Sequence, residues 1–228
     1  MMDHSTPPTM IADEAEARQW LGQWISASGH GDGAAMARLE RLVAMLCEEN
    51  AHQNLVSAGS LSEVWRRHIV DSAQLLRFVP RETCQTWLDL GTGAGFPGIV
   101  IAALRPDLEV LMVESRARRI DWLERVRQEL GLSRAVVLGQ RLELVETRKV
   151  DAISARAFAP LDRLLALSAR FSTGRTVWLL PKGRSAAQEL EALTPRILSG
   201  RRHTFHVEQS LTEPQAGILV GHLKSARE

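Results

Sequence analysis

Trp87-Leu88-Asp89-Leu90-Gly91-Thr92-Gly93-Ala94-Gly95-Phe96-Pro97-Gly98 decides how the rest of the chain is read. An apolar run of strand character ends in a cluster of glycines, and an apolar segment of helical character follows at 98–104. Glycine lets the backbone turn sharply and lets a ligand approach with no Cβ in the way. In an open parallel sheet, ligands sit beyond the carboxyl ends of the strands. The segment therefore predicts a strand–loop–helix unit that holds a small ligand.

Downstream, the hydrophobic rhythm alternates between strand and helix. Strands are expected at 86–90, 108–114, 135–138, 150–155, 176–180, 203–207 and 218–223, and helices at 98–104, 116–130, 160–171 and 185–193. Short connections between alternating elements predict an α/β fold with a mostly parallel seven-stranded sheet covered on both faces. With no helix between the last two strands, they should form an antiparallel hairpin at one edge. Upstream, 1–12 reads as a loose tail. Three helices follow at 13–28, 34–49 and 62–78, with a polar loop at 50–60. Their apolar faces carry Trp20, Leu21, Trp24 and Ile25; Leu39, Leu42, Val43 and Leu46; and Val64, Trp65, Ile69 and Leu76. The chain divides into an N-terminal tail and extra helix (1–33), a helical cap (34–80) and the ligand-binding α/β domain (81–228).

Hydrophobic residues are 45% and charged residues 24%, which is ordinary globular usage and excludes bulk disorder. No apolar run approaches a membrane span. The first ten residues lack the basic start of a secretory signal. Two cysteines, Cys47 and Cys84, make neither a disulfide framework nor a four-ligand zinc site, and the scattered histidines suggest no metal. The chain reads as cytoplasmic and reduced. Net charge is +1, but residues 1–88 sum to −4 and residues 89–228 to +5, which allows a basic face on the later part. Arginine supplies 25 of the 28 cations, and its planar fork suits phosphates and base edges, although coding bias gives the same composition.

Two ligand classes compete for the glycine loop. Gly93-x-Gly95-x-x-Gly98 has the form of the dinucleotide fingerprint, which would make the chain a nicotinamide (NAD(P)) oxidoreductase. That motif starts two residues too late after the strand, and Pro97 lies inside it. Asp89-x-Gly91-x-Gly93-x-Gly95 instead resembles the S-adenosylmethionine loop of class I methyltransferases. A sulfonium gains from a nearby carboxylate, and Asp89 at the strand end fits that need. A purely structural turn is the third reading. Glu114 ends the next strand, 23 residues after Gly91, where a carboxylate can accept hydrogen bonds from two ribose hydroxyls. Its structural alternative is capping the helix that carries Arg116, Arg118 and Arg119.

Further motifs carry a more specific resemblance, spanning about residues 50 to 182. They are Asn50-x-x-x-Asn54-Leu55-Val56-Ser57, Arg67-His68-Ile69-Val70-Asp71-Ser72, the loop with its Pro97-Gly98 tail, Arg141-Leu142-Glu143, Ser154-Ala155-Arg156-Ala157-Phe158-Ala159 and Leu180-Pro181-Lys182-Gly183. Together they resemble the glucose-inhibited division protein B family, the bacterial 16S ribosomal RNA guanine-527 N7 methyltransferases. The resemblance implies a Rossmann-like class I methyltransferase fold, S-adenosyl-L-methionine as cofactor, and 16S ribosomal RNA or the small ribosomal subunit as partner. It implies cofactor contacts from Gly91 and Phe96 within the Gly91–Gly93–Gly95 loop, an adenine framed by Leu142 and Glu143, and Arg156 beside the cofactor facing RNA. The family usually has an arginine just before the final strand, where this chain has Ala216-Gly217. A monomer acting without a membrane is expected.

The residues are consistent with that chemistry. Guanine N7 has a free lone pair and no proton, so methyl transfer to it needs in-line geometry and a dry site, not a general base. A pyrimidine C5 enzyme would need a cysteine near the target. An exocyclic-amine enzyme would carry an Asn/Asp-Pro-Pro-aromatic segment after the fourth strand, where this chain has Ser154 to Pro160. Arg141 and Arg156 are expected to orient the guanosine and its phosphates. Asn54 and His68 are candidates for RNA contact, with capping or packing as the alternative, and Lys182 for a phosphate. Two further rivals share the cofactor loop: a small-molecule methyltransferase and a non-catalytic RNA-binding assembly factor.

Overall fold

In the computed structural model, which describes residues 10–193 and 201–225, the chain begins with α1 (Glu14–Ser28) and α2 (Ala35–Asn50). Short helical segments follow: α3 (Ala58–Leu61), a π-turn (Trp65–Val70), α4 (Asp71–Ala73) and a 3-10 stretch (Gln74–Phe78). The α/β part is β1 (Thr86–Leu90), α5 (Gly98–Leu104), β2 (Glu109–Val113), α6 (Ala117–Glu129), β3 (Ala135–Leu138), β4 (Ala152–Ala155), α7 (Leu161–Ser168), β5 (Val177–Gly183) and α8 (Ala186–Ala192). Four strands close the fold: β6 (Arg201–His203), β7 (His206–Gln209), β8 (Gly217–Gly221) and β9 (Leu223–Ser225).

Seven strands make one sheet in the order β3-β2-β1-β4-β5-β8-β7, with the first five parallel and β8 antiparallel to both neighbours. The inner parallel strands are covered on both faces, which is why they read as near-continuous apolar runs. Strand parity sends Trp87 into the core layer shared with α2, α5 and α6, and sends Leu88 and Leu90 into the layer under α7. α2 buries Leu39, Leu42 and Leu46. Its Arg38 donates two hydrogen bonds, at 2.9 and 2.8 Å, to the Ala103 carbonyl in the last turn of α5, where the helix has no internal donor to offer. α6 buries Trp122, Leu123 and Val126 and leaves most of its arginines outward.

Three expectations are corrected. The third helix, expected over 62–78, begins two residues late and changes type along its length, from a π-turn to α and then 3-10. The Trp65 and Arg66 amides, at its start, donate to the Glu14 carboxylate of α1 at 2.9 and 2.8 Å. The polar loop ends early, because the Ser57 side chain accepts from the Ser60 amide and starts α3. Within the expected tail, residues 1–9 lie outside the described residues, but Ile11 is buried and its amide donates to the Leu211 carbonyl at 2.9 Å.

The edge hairpin forms as β7 and β8, yet each of the two expected strands is split. β6 pairs with β9 in a separate two-stranded sheet. The split falls where Gly221 crosses Phe205 so closely that a Cβ would lie 2.7 Å from the Phe205 Cα. Among the described residues, no helix is long and apolar enough to cross a membrane.

Candidate active site

The glycine loop runs from the carboxyl end of β1 into α5. Gly91 has φ +64°, and a Cβ there would meet the Phe158 ring at 2.5 Å, so both its dihedral and its surroundings require glycine. Asp89 is fully buried: its Oδ1 accepts from Ser154 Oγ at 2.7 Å and its Oδ2 from the Gly98 amide at 2.9 Å. Trp87 Nε1 donates to the same Ser154 Oγ at 2.8 Å. Burial pushes the Asp89 carboxyl up, against those two hydrogen bonds. Asp89 was expected to face a sulfonium. It instead ties β1, β4 and the start of α5 together beneath the loop, because it shares the face of Trp87. Gly95 is also below the surface, packed on Ile99 and Leu123.

Above the loop lies a cavity of about 390 Å³. Gly91, Gly93, Phe96, Glu114, Leu142 and Arg156 line it, as does Arg141 after β3. Glu143, in the turn after Arg141, is exposed and is not part of the lining. Glu114 is buried at the end of β2. It lines the cavity, and its Oε1 accepts from the Ser115 and Arg116 amides at 2.7 and 2.9 Å ahead of α6. Its Oε2 accepts from Gly93 N at 3.1 Å, which joins the loop to the end of β2.

Sequence reasoning missed part of this wall. Leu55 and Val56 close one side, held by Asn50, whose Oδ1 accepts from their amides at 3.0 and 2.9 Å. Arg119, half-buried on α6, also lines the cavity and donates to the Asn54 carbonyl at 3.3 Å. The Asn54 side chain is on an exposed residue. The available signal was the Asn50-x-x-x-Asn54 spacing, which marks a polar residue folding a loop back on itself.

Arg156 leaves the end of β4 and is gripped from the helical region. Its Nη1 lies 3.4 Å from Asp71 Oδ2 and 3.3 Å from the Arg67 carbonyl, and its Nη2 donates to His68 Nδ1 at 3.1 Å. Its guanidinium carbon sits 5.4 Å from the Phe96 ring centroid, and the His68 ring stacks on Phe96 at 4.8 Å. Asp71 Oδ1 accepts from Gln74 Nε2 at 3.0 Å and from Thr212 Oγ1 at 3.1 Å. Burial pushes the Asp71 carboxyl up, and the Arg156 charge opposes it. Burial, with Arg156 second, pushes His68 down to about 3, so the ring is neutral and its Nδ1 accepts. His68 Nε2 is buried without a partner. Of the two readings given for His68, RNA contact or packing, this arrangement is the packed one, with the ring set between Phe96 and Arg156.

A second, larger cavity of about 1050 Å³ lies beyond the ends of β4 and β5 and shares Arg156, Ala157 and Phe158 with the first. Ala157 has φ +52°, an uncommon conformation for a residue with a side chain. Lys182, expected to be a free phosphate-binding charge, is paired here: Nζ lies 2.8 Å from Glu189 Oε2, with the Lys182 side chain 9% exposed. At Gly217 a Cβ would lie 2.6 Å from Val207 Cγ1 and 2.7 Å from Ala186 Cβ, so packing excludes a side chain there.

The strand order, the glycine loop, the acidic end of β2 and the cavity above them define a class I S-adenosylmethionine-dependent methyltransferase. Solved structures share this architecture. An O-methyltransferase from Bacillus cereus in complex with SAH matches at TM-score 0.56 and 15% identity, covering 90% of this chain and 99% of that one. A putative O-methyltransferase from Klebsiella pneumoniae matches at TM-score 0.56 and 18% identity, covering 93% and 99%.

Residues 35–216 match the family model of rRNA small subunit methyltransferase G, and the chain belongs to that family. Curated relatives named ribosomal RNA small subunit methyltransferase G agree along nearly the whole length. The one from Erythrobacter litoralis is 56% identical over 212 residues, covering 93% of this chain and 97% of the relative. The one from Novosphingobium aromaticivorans is 53% identical over 220 residues, covering 96% and 92%. The chain is therefore an enzyme that takes its methyl group from S-adenosylmethionine, and the nicotinamide reading falls.

Proposed function

We propose that the enzyme methylates N7 of a single guanosine, the one at position 527, in small-subunit (16S) ribosomal RNA. The observation that carries this reading is the character of the junction between the two cavities. Its shared wall is an arginine, an alanine and a phenylalanine, none of which removes a proton at neutral pH. Guanine N7 has no proton to lose. Cys47 is exposed on α2, and Cys84 is buried ahead of β1 with its thiol pushed up to about 12, so neither supplies the nucleophile of pyrimidine C5 transfer.

S-adenosylmethionine supplies a methyl group on a positively charged sulfur. The cavity fits its parts: Glu114 for the ribose hydroxyls, Leu142 for an apolar face against the adenine, and the Gly91–Gly93 backbone where no Cβ intrudes. Glu143 is then left outside the adenine site. Arg156, clamped by Asp71 and His68, presents a fixed positive edge at the junction, suited to a phosphate or to guanine O6. Arg141, exposed at the cavity rim, faces the same side and is read as a second anchor for the RNA backbone. Apolar walls from Phe96 and Phe158 keep water from the transfer path.

The test is to incubate the enzyme with labelled cofactor and small-subunit RNA, naked or assembled, and to map the label by mass. A single N7-methylguanosine is expected. Label on a sugar or a pyrimidine, or transfer to small molecules in preference to RNA, would sink the reading.

A further inference from the structure

The larger cavity contains an ion pair that neither the cofactor site nor the fold accounts for. Lys182 lies at an irregularity of β5, where its register with β8 shifts between Pro181 and Gly183. Such bulges beside a site re-aim a side chain. The ammonium reaches Glu189 on α8 and, at 3.4 Å, the Ala159 carbonyl. Glu189 Oε1 accepts from Ser185 Oγ at 2.8 Å, while Oε2 is shielded from solvent and makes no well-directed hydrogen bond. Burial pushes the Glu189 carboxyl up, but the Lys182 ammonium and the Ser185 hydroxyl hold it below its usual range, so the pair is charged. A partly buried pair adds little stability over apolar packing of the same volume. Around it, Phe158, Pro160 and Pro181 form apolar walls.

A donor and an acceptor side by side, with an aromatic ring at the mouth of the cofactor cavity, suit the Watson–Crick edge of a base, and a carboxylate, which takes two adjacent N–H donors, suits that of guanine. Guanine's Watson–Crick edge carries the O6 acceptor next to the N1–H and N2–H donors. Enzymes that act on a base extruded from its stack read that edge and stack the ring on apolar side chains. The common arginine fork to O6 and N7 is forbidden here, because N7 must stay free to attack. Reading the opposite edge leaves it free.

The geometry points to the Lys182–Glu189 pair as the guanine reader. The Lys182 ammonium donates to O6, the Glu189 carboxylate accepts from N1–H and N2–H, and the Phe158 ring stacks on the base between the two cavities. Without RNA the two side chains satisfy each other. This assignment rests on the guanine-N7 reading above.

The experiment compares small-subunit RNA carrying guanosine at the methylated position with the same RNA carrying inosine there. Inosine keeps O6, N1–H and N7 and lacks the 2-amino group. The wild-type enzyme should prefer guanosine by about tenfold or more in kcat/KM, the discrimination of one charge-assisted hydrogen bond. Glu189→Gln should lower kcat/KM on guanosine by at least about tenfold and collapse the preference. Lys182→Met should depress both substrates alike, since both retain O6. Calorimetric binding of S-adenosylmethionine should stay at the wild-type value in both variants, which checks the fold. Wild-type enzyme that methylates inosine as well as guanosine overturns the assignment without any variant, as does a Glu189→Gln enzyme that keeps the preference. Absence of N7 methylation by wild type removes the underlying reading as well.

Discussion

The two cavities share a wall and are built in opposite ways. The smaller is made mostly of backbone and turns: the β1–α5 loop, the end of β2 and the turn after β3, which lie close together along the sheet's parallel half. The larger is made of side chains brought from the β4–α7 loop, β5 and α8. The first is shaped by where side chains are absent, the second by which are present. A cofactor of constant structure suits a cradle of glycines and carbonyl-flanked turns. A target that must be told from other bases suits placed charges. Arg156, Ala157 and Phe158 line both.

The largest expected effect comes from breaking the shared wall on the cofactor side. Gly91→Ala places a methyl group 2.5 Å from the Phe158 ring at φ +64°, adding about 1–2 kcal/mol of backbone strain to a collision. Calorimetry should show S-adenosylmethionine binding at least about tenfold weaker. Adding Phe158→Ala should recover part of that loss, since it removes the collision and leaves the strain. A double variant that binds no better than Gly91→Ala would show that the wall does not link the cavities.

A smaller effect is expected where the helical region grips the wall. Arg156→Ala and Asp71→Asn should each slow methylation about tenfold, and the double variant should be no slower than Arg156→Ala. That is a coupling of about 1–3 kcal/mol for residues acting as one unit. Additive losses would separate Asp71 from Arg156 and return it to a purely structural role.

The smallest effect is a pH slope in stability. His68 stays neutral in the fold down to about pH 3, whereas in the unfolded chain it takes a proton near its ordinary 6.5. Below pH 6.5 the unfolded chain therefore binds the extra proton, and stability falls as pH falls. Between pH 6.5 and 4.5 the unfolding free energy should drop by up to about 1 kcal/mol per pH unit from this residue. Urea titrations of His68→Gln should show a shallower slope over the same range, and equal slopes would mean that the imidazole protonates freely in the fold.

Much of the lining of the cavity above the glycine loop was legible because its parts are short and local. Gly91 and Glu114 follow strand ends directly, Gly93 lies in the loop after β1 and Leu142 sits in the turn after β3, and strand ends are what hydrophobic alternation marks. Asp89 was misread, although strand parity held the answer: it points the same way as Trp87, and so toward the core rather than the ligand. For His68 the sequence left RNA contact and packing both open, for a different reason. A histidine on an irregular helical stretch has no periodic face to declare, and the start of that stretch is capped by Glu14, some fifty residues upstream.

The sequence by itself determined the sheet, the glycine loop and the family, because each rests on patterns within about a dozen residues: alternation of apolar side chains, glycine at a positive φ, an acid at a strand end. Only the tertiary structure decided what holds Arg156, what Lys182 faces and where the second cavity opens. Arg156 meets His68 and Asp71 across separations of 88 and 85 residues. Nothing local encodes such a meeting. It follows from how the helical region packs across the carboxyl end of the sheet, and the burial that results sets the charge state of His68.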